Sequence, residues 1–315
     1  MIEIRKDYIF ERWSYIASDR GKRPEQFEKK NGEKKDSVCY FCPVNENLTP
    51  PEIGRMKNDN SDSWKVRWFL NKFPIVDSQS DEPIGMEGIY AKGGGFGYHE
   101  IIAETPDHEK QLADLTVSEI ADVIKVYLLR MSELIGREGV NYVQIFKNSG
   151  VEAGTSLAHS HSQVVALSIV PRAVQEKVNA IKKYKVCQYC DIIKKEEKSE
   201  RFVYANDDFV VFTPYAPRFN YEVLILPRKH YLNITELGGE EIENLAKSFQ
   251  KVLAKLGAMN IPYNFYLHYS PKGENLHFHF EIVPRMNKWA GFELATDSYV
   301  ITTSPEDAAK FYREG

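Results

Sequence analysis

The sequence predicts an α+β protein built from two tandem copies of one unit, each a mostly antiparallel sheet with packed helices. Three observations predict it. Glu100-Ile101-Ile102 begins eight residues before His108, with Leu115 and Ile120 seven and twelve residues after that histidine; Glu222-Val223-Leu224, His230, Leu237 and Ile242 repeat the same offsets. Each set leads into an amphipathic helical pattern and then an aromatic, alternating strand. Finally, a His-x-His-x-(Gln/Glu) pattern ahead of an apolar run occurs twice, at His159–Val165 and His277–Val283, and each copy has its own upstream Cys-x-x-Cys. A repeat this detailed marks a duplicated supersecondary unit. We place the boundary so that the units span 1–172 and 173–315.

Taken in order, the chain starts with an aromatic segment (Tyr8, Ile9, Trp13, Tyr15, Ile16) and a basic turn, Ser18-Asp19-Arg20-Gly21-Lys22-Arg23-Pro24. Cys39 and Cys42 sit on a knuckle. Val66 to Phe69 reads as a strand that stops at the turn Asn71-Lys72-Phe73-Pro74. Gly93-Gly94-Gly95-Phe96-Gly97 matches no phosphate-loop pattern and reads as a linker. Val117, Ile120, Ile124, Tyr127, Leu128, Met131 and Leu134 give the first helix its apolar face, with Thr116 and Glu119 as a capping box and Gly136 at its end. Ile242, Leu245, Phe249, Val252, Leu253 and Leu256 do the same for the second, which Gly257 closes. The strands Tyr142–Phe146 and Asn264–Tyr269 follow.

Chemistry concentrates at Leu157–Leu167. Alternate residues of a strand share a face, so His159, His161 and Gln163 are expected to project together ahead of the buried run Val164–Leu167. Just upstream, Asn148-Ser149-Gly150 and Ala153-Gly154-Thr155-Ser156 form a small-residue loop whose backbone N–H groups can approach a phosphate closely. An anion site would then lie beside a nucleophile.

Composition narrows the function classes. With 43% hydrophobic and 27% charged residues the chain can build a sizeable core, and a net charge of −4 argues against nucleic acid or an anionic membrane surface as partner. No apolar run approaches a membrane span and the N-terminus lacks a signal-peptide core, so we expect a soluble cytoplasmic protein. The four cysteines all fall in the two Cys-x-x-Cys pairs. A disulfide scaffold is unusual in a chain of this kind, and a redox Cys-x-x-Cys normally opens a helix, whereas Pro43 and Lys194-Lys195-Glu196-Glu197 follow here. Zinc fits better. The duplicated candidates are Cys39, Cys42, His108 and His159 for one site and Cys187, Cys190, His230 and His277 for the other. With all four positions filled by protein, both sites are expected to be structural. His99 and His268 are expected to pack or hydrogen-bond near the site rather than bind metal.

These residues resemble the histidine-triad superfamily, in particular its galactose-1-phosphate uridylyltransferases and the similar ADP-glucose phosphorylases. The likeness rests on the Arg20–Pro24 turn, the Cys39 knuckle, Asn71, Pro106-Asp107-His108, Val143–Asn148, the His-x-His-x-Gln core and Gly291-Phe292-Glu293-Leu294. It implies two histidine-triad-like units, the first catalytic and the second structural and substrate-contacting. It implies double displacement: His161 attacks the α-phosphate of a nucleotide-sugar, a nucleotidyl-histidine forms as sugar 1-phosphate leaves, and a second phosphorylated acceptor takes the nucleotide. Gln163, Gly154, Ser156 and loop N–H groups would hold the α-phosphate, Arg20 and Arg23 would clamp phosphates, and Asn71 and Asn148 would face the nucleotide. Lys288 and Glu293 would serve the sugar phosphate, across the interface of a homodimer. The uridylyltransferases typically read His-Pro-His-Gly-Gln where this chain has His159-Ser160-His161-Ser162-Gln163, as the phosphorylases do. Two readings therefore stand: a hexose-1-phosphate uridylyltransferase type of enzyme, or transfer of adenylyl from ADP-glucose to phosphate. A third is a nucleotide-binding zinc protein without turnover.

Overall fold

The structure, a computed structural model, describes residues 3–7, 9–10, 13–16, 38–58 and 63–314. In chain order the strands are β1 (Glu3–Lys6), β2 (Trp13–Ile16), β3 (Glu52–Lys57), β4 (Trp64–Leu70), β5 (Gly85–Glu87), β6 (Tyr90–Lys92), β7 (Gly97–Ala103), β8 (Tyr142–Ser149), β9 (His161–Leu167), β10 (Phe202–Ala205), β11 (Phe209–Phe212), β12 (Val223–Pro227), β13 (Tyr263–His268), β14 (His279–Pro284) and β15 (Tyr299–Ile301). The helices are α1 (Val117–Ile135), α2 (Arg172–Ile181), α3 (Gln188–Glu196), α4 (Gly239–Ala258), α5 (Gly291–Thr296) and α6 (Pro305–Arg313). The α+β class expected from the repeat is what the chain adopts.

Ten strands form one antiparallel sheet in the order β10-β11-β12-β14-β13-β8-β9-β7-β4-β3. The order reads symmetrically outward from the β8–β13 junction, where Asn148 faces Asn264 and Phe146 faces Tyr266. The two sequence copies thus share one sheet. Tying the ends together, β15 pairs in parallel with β2, which pairs with β1.

One face of the sheet is covered by α1 and α4, which pack on each other. Ile120, Ile124, Met131 and Leu134 of α1 and Leu245, Phe249, Val252 and Leu256 of α4 meet Ile145, Val164, Phe265 and Ile282 of the strands in one buried cluster. Each such side chain removed from water contributes about 1.5–3 kcal/mol. The Thr116–Glu119 capping box forms as expected, with the Glu119 N–H donating to Thr116 Oγ1 and the Thr116 N–H to Glu119 Oε2.

Three local expectations need correction. The Gly93–Gly97 stretch is packed rather than a free linker: the Gly94 N–H donates to the Glu82 carbonyl and Gly97 opens β7. Gly257 does not end α4, which continues to Ala258; it admits the Ala113 methyl, which a β-carbon there would approach to 2.7 Å. The matched spacing of Glu100 and Glu222 hides a one-residue register difference, since Ile101 stands opposite Gln163 but Leu224 opposite Glu281. One residue flips a strand's faces. Glu100 therefore meets Arg130 of α1, while Glu222 meets Arg218 on the other side.

Candidate active site and metal centres

The face of the sheet away from α1 and α4 carries the chemistry. Phe41, Trp64, Phe69, Ile101 and Ala103 form a small cluster there, against which Cys39 and Leu157 pack. Cys39 and Cys42 lie on a turn held by the Asn45 side chain, which donates to the Cys39 carbonyl at 2.9 Å. Val44 adopts a left-handed φ of 70°, which a β-branched residue resists.

The structure gathers both predicted metal sets. In each, the four ligand atoms of two thiols and two imidazoles lie within 4.8 Å of one another. The donor chemistry fits a cation. His159 Nε2–H donates to the Thr105 carbonyl at 2.8 Å, so its Nδ1 lone pair faces Cys39 and Cys42, both at 3.6 Å. His108 Nδ1 lies 3.3 Å from the Cys42 sulfur. In the second centre His277 Nε2–H donates to the Pro227 carbonyl at 2.9 Å and His230 Nε2–H to Asn275 Oδ1 at 2.8 Å, turning both Nδ1 atoms toward Cys190 at 3.5 Å. Such outer partners fix the tautomer a metal needs. Burial and then Cys39 push the Cys42 thiol up to about 11, and burial and then Cys187 push Cys190 up to about 12, so metal loading must displace protons. Contrary to the sequence reading, Cys187 does open a helix, as the N-cap of α3. What sets these thiols apart from a redox pair is the two histidines that converge on them.

His159 does not belong to the strand: β9 starts at His161, and His159 turns back to the cysteines. His161 is 6% exposed, and its Nδ1–H donates to the His159 carbonyl at 2.8 Å. That bond leaves the Nε2 lone pair as the ring's reactive end. Burial first, then Lys147, pushes His161 down to about 4, so the imidazole is neutral at physiological pH. Beneath the strand lies a buried polar network. Lys147 Nζ donates to Glu104 at 2.6 Å, to Ser160 Oγ at 3.1 Å and to the His161 carbonyl at 3.0 Å. Ser160 donates to Glu104 at 2.5 Å, Ser162 also donates to Glu104, and Tyr127 bonds Ser162. Sequence reading missed Glu104, Lys147 and Tyr127; the serines alternating with His159 and His161 were the available signal.

Two pockets meet at His161. One, about 280 Å³, is walled by Tyr40, Phe41, Leu48, Phe69, Asn71 and Phe73, with His161, Gln163 and Ser156 at its inner end. The other, about 590 Å³, runs along Asn148–His161 and Ile261–Tyr263. Between them the loop turns at Gly150 and Gly154, whose φ values of 89° and 88° fall in the region glycine tolerates. Asn148 Oδ1 accepts from Asn264 Nδ2 at 2.8 Å. The structure thus brings His161, Gln163, Asn71 and Ser156 together around one pocket and His161, Asn148 and Ser156 around the other, whereas Gly154 shapes the loop without lining either. Lys288 and Glu293 line neither pocket: Lys288 is exposed, and Glu293 accepts from the Ala290 N–H at the start of α5. Arg20 and Arg23 lie outside the described residues.

The second His-x-His site keeps the backbone device but not the surroundings. His279 Nδ1–H donates to the His277 carbonyl at 2.9 Å, as in the first copy. Its Nε2, however, accepts from Lys177 Nζ at 2.8 Å, and Lys177 also donates to Glu281, which Arg218 grips in turn. The ammonium stands where a phosphate or a cation would have to sit between His268, His279 and Glu281. In place of Ser160, Ser162 and Tyr127 this copy has Phe278, Phe280 and Phe249, the last two in edge contact at 4.9 Å.

Comparison with known proteins identifies the family. Residues 2–171 match the family described as galactose-1-phosphate uridyl transferase, N-terminal domain, and residues 186–291 match scavenger mRNA decapping enzyme C-term binding. An ADP-glucose phosphorylase of Arabidopsis thaliana is 33% identical over 99% of this chain and 92% of its own length. A galactose-1-phosphate uridylyltransferase of Thermotoga maritima is 27% identical over 100% of this chain and 98% of its own. The crystal structure of an Arabidopsis thaliana ADP-glucose phosphorylase with bound ADP-glucose superposes with a TM-score of 0.86 at 29% identity, covering 100% of this chain and 99% of that one. The match over residues 2–171 and the 33% identity over nearly the whole chain show that it is a nucleotidyltransferase belonging to the galactose-1-phosphate uridylyltransferase family.

Proposed function

We propose that the protein moves a nucleotidyl group from a nucleotide-sugar to a hexose 1-phosphate, in the manner of galactose-1-phosphate uridylyltransferases, by double displacement at His161. The observation that carries this is the Nδ1–H bond from His161 to the His159 carbonyl at 2.8 Å, which presents a neutral Nε2 lone pair to both pockets. Nε2 attacks the α-phosphorus, the bond to the sugar-1-phosphate oxygen breaks, and that dianion leaves without needing a proton. An oxygen of the acceptor phosphate then displaces the histidine, and the P–N electron pair returns to Nε2. The nucleoside would occupy the aromatic-walled pocket at Asn71. Gln163, Ser156 and the loop N–H groups would share the α-phosphate charge, with Gly154 allowing the turn, and Asn148 would border the phosphate path. Arg20 and Arg23 would clamp the phosphates.

A second reading has its own support: the relative with 33% identity and the structure with a TM-score of 0.86 are both ADP-glucose phosphorylases, which points to adenylyl transfer from ADP-glucose to phosphate. We infer zinc for both four-ligand centres, in a structural role, with the first holding the residue two before the nucleophile in place. We also infer a cytoplasmic homodimer. The β5–β6 ribbon pairs with no other strand among the described residues and exposes Ile84, Met86, Ile89 and Tyr90 by 64–85%. A second copy would cover it and bring its Lys288 and Glu293 to this site.

The test is to mix the protein with α-labelled UDP-glucose or ADP-glucose and seek acid-labile label on the peptide spanning 157–167. The donor that labels names the base, and chasing with galactose 1-phosphate or phosphate names the acceptor. Absence of label from both would remove the catalytic reading.

A further inference from the structure

We propose that His99 is a positioning residue that decides which end of the Gln163 carboxamide faces the reacting phosphate. The inference rests on the nucleotidyl-transfer reading above. His99 lies on β7, 4% exposed, diagonal to Gln163 on the catalytic face of the sheet. The backbone N–H of Ile75 points at its Nδ1 from 3.2 Å. A backbone N–H can only donate, so Nδ1 must accept. Burial holds His99 below its ordinary value, and a neutral imidazole has one proton, which must therefore sit on Nε2. Nε2 is 2.9 Å from Gln163 Oε1 and donates to it. The amide nitrogen of Asn71 lies against the same ring, 3.2 Å from Nε2 and 3.4 Å from Nδ1, while Asn71 Oδ1 is held by the Phe73 N–H at 2.9 Å; with the Ile75 N–H aimed at Nδ1, the ring proton stays on Nε2, which Gln163 Oε1 accepts.

The consequence is a relay of orientation. A carboxamide has an acceptor end and a donor end of nearly equal shape, and only the donor end stabilises charge on a phosphoryl oxygen. With its oxygen occupied by His99, Gln163 can offer only its NH2 group to the pocket that it lines beside His161. Nothing has to reorganise when charge develops. The second copy shows the alternative: in register, Glu222 stands where His99 does and Glu281 where Gln163 does, and both are bound to Arg218. There the corresponding group is tied inward.

The test is a double-mutant cycle on the rate of label transfer to the protein, using whichever of UDP-glucose and ADP-glucose labels the wild type. His99→Phe keeps the ring and removes both nitrogens; it should slow labelling about tenfold at saturating donor with little change in KM. In a Gln163→Ala background the same change should cost less than twofold, because a positioning residue has nothing left to position. Ile75→Pro, at an exposed position after Pro74, leaves the ring of His99 in place and removes the N–H that sets its tautomer, while also fixing the local backbone. It should give a smaller loss with the same dependence on Gln163, and it serves as the readout if His99→Phe fails to retain its metal. Equal losses in both backgrounds, or none from either variant, would overturn the role of His99 alone. Failure of the wild type to take label would overturn the reading beneath it.

Discussion

Replacing Lys147 by methionine should destabilise the protein by about 3–5 kcal/mol, the usual cost of stripping the partner from a buried ion pair. Lys147 and Glu104 have side chains 1% and 0% exposed, 2.6 Å apart. Burial alone would raise the Glu104 carboxyl, yet Lys147 and the donating Ser160 and Ser162 hydroxyls hold it below its ordinary value. With the ammonium gone, those hydroxyls remain, so the loss should fall toward 3 kcal/mol, or roughly 6 °C in Tm at about 2 °C per kcal/mol for a chain of this size. The pH dependence follows from the sign. In the wild type, Glu104 contributes stability that is present above its unfolded value and lost as pH falls through its lower folded value. In the variant the carboxyl is raised instead, so it protonates on acidification and the deficit shrinks. Urea unfolding at pH 8 and pH 5 measures both. A deficit under about 1 kcal/mol, or one equal at the two pH values, would refute this account of the network.

Other outcomes can be stated briefly. His161→Ala should abolish labelling while two metal equivalents remain by elemental analysis, whereas His159→Ala should lose one equivalent and lower the Tm. Because His161 titrates near 4, the labelling rate should be level from pH 8 to about pH 5 and fall only as the ring takes its proton nearer pH 4; a half-point near 6.5 would mean an imidazole exposed to water. Val44→Gly should raise stability by about 1 kcal/mol by relieving the left-handed turn beside Cys42, read by thermal unfolding of the metal-loaded protein.

The parts of the site legible in the sequence were those that recur. The two Cys-x-x-Cys pairs and their histidines were found because the duplication repeats all four ligands, and α1 and α4 because each carries a helical apolar period. What could not be read was direction. Alternation suggested that His159 joins His161 on a strand face, but His159 turns to Cys39, Cys42 and the Thr105 carbonyl, and β9 begins two residues later. Equal spacing paired Glu100 with Glu222, yet one residue of register sends them to opposite faces. Glu104 and Lys147 looked like two unrelated charges 43 positions apart until pairing of β7, β8 and β9 placed them in contact. His99 read as a neighbour of the site, but its use depends on the Ile75 N–H, which belongs to a turn with no periodic signal.

The β8–β13 seam has a consequence for anyone dissecting this enzyme. Severed between 172 and 173, each piece would present a raw strand, Tyr142–Ser149 on one and Tyr263–His268 on the other, with unpaired amides seeking a mate. The fragments should clump when expressed singly and knit together when expressed jointly. The seam would thus make each half the missing edge of the other.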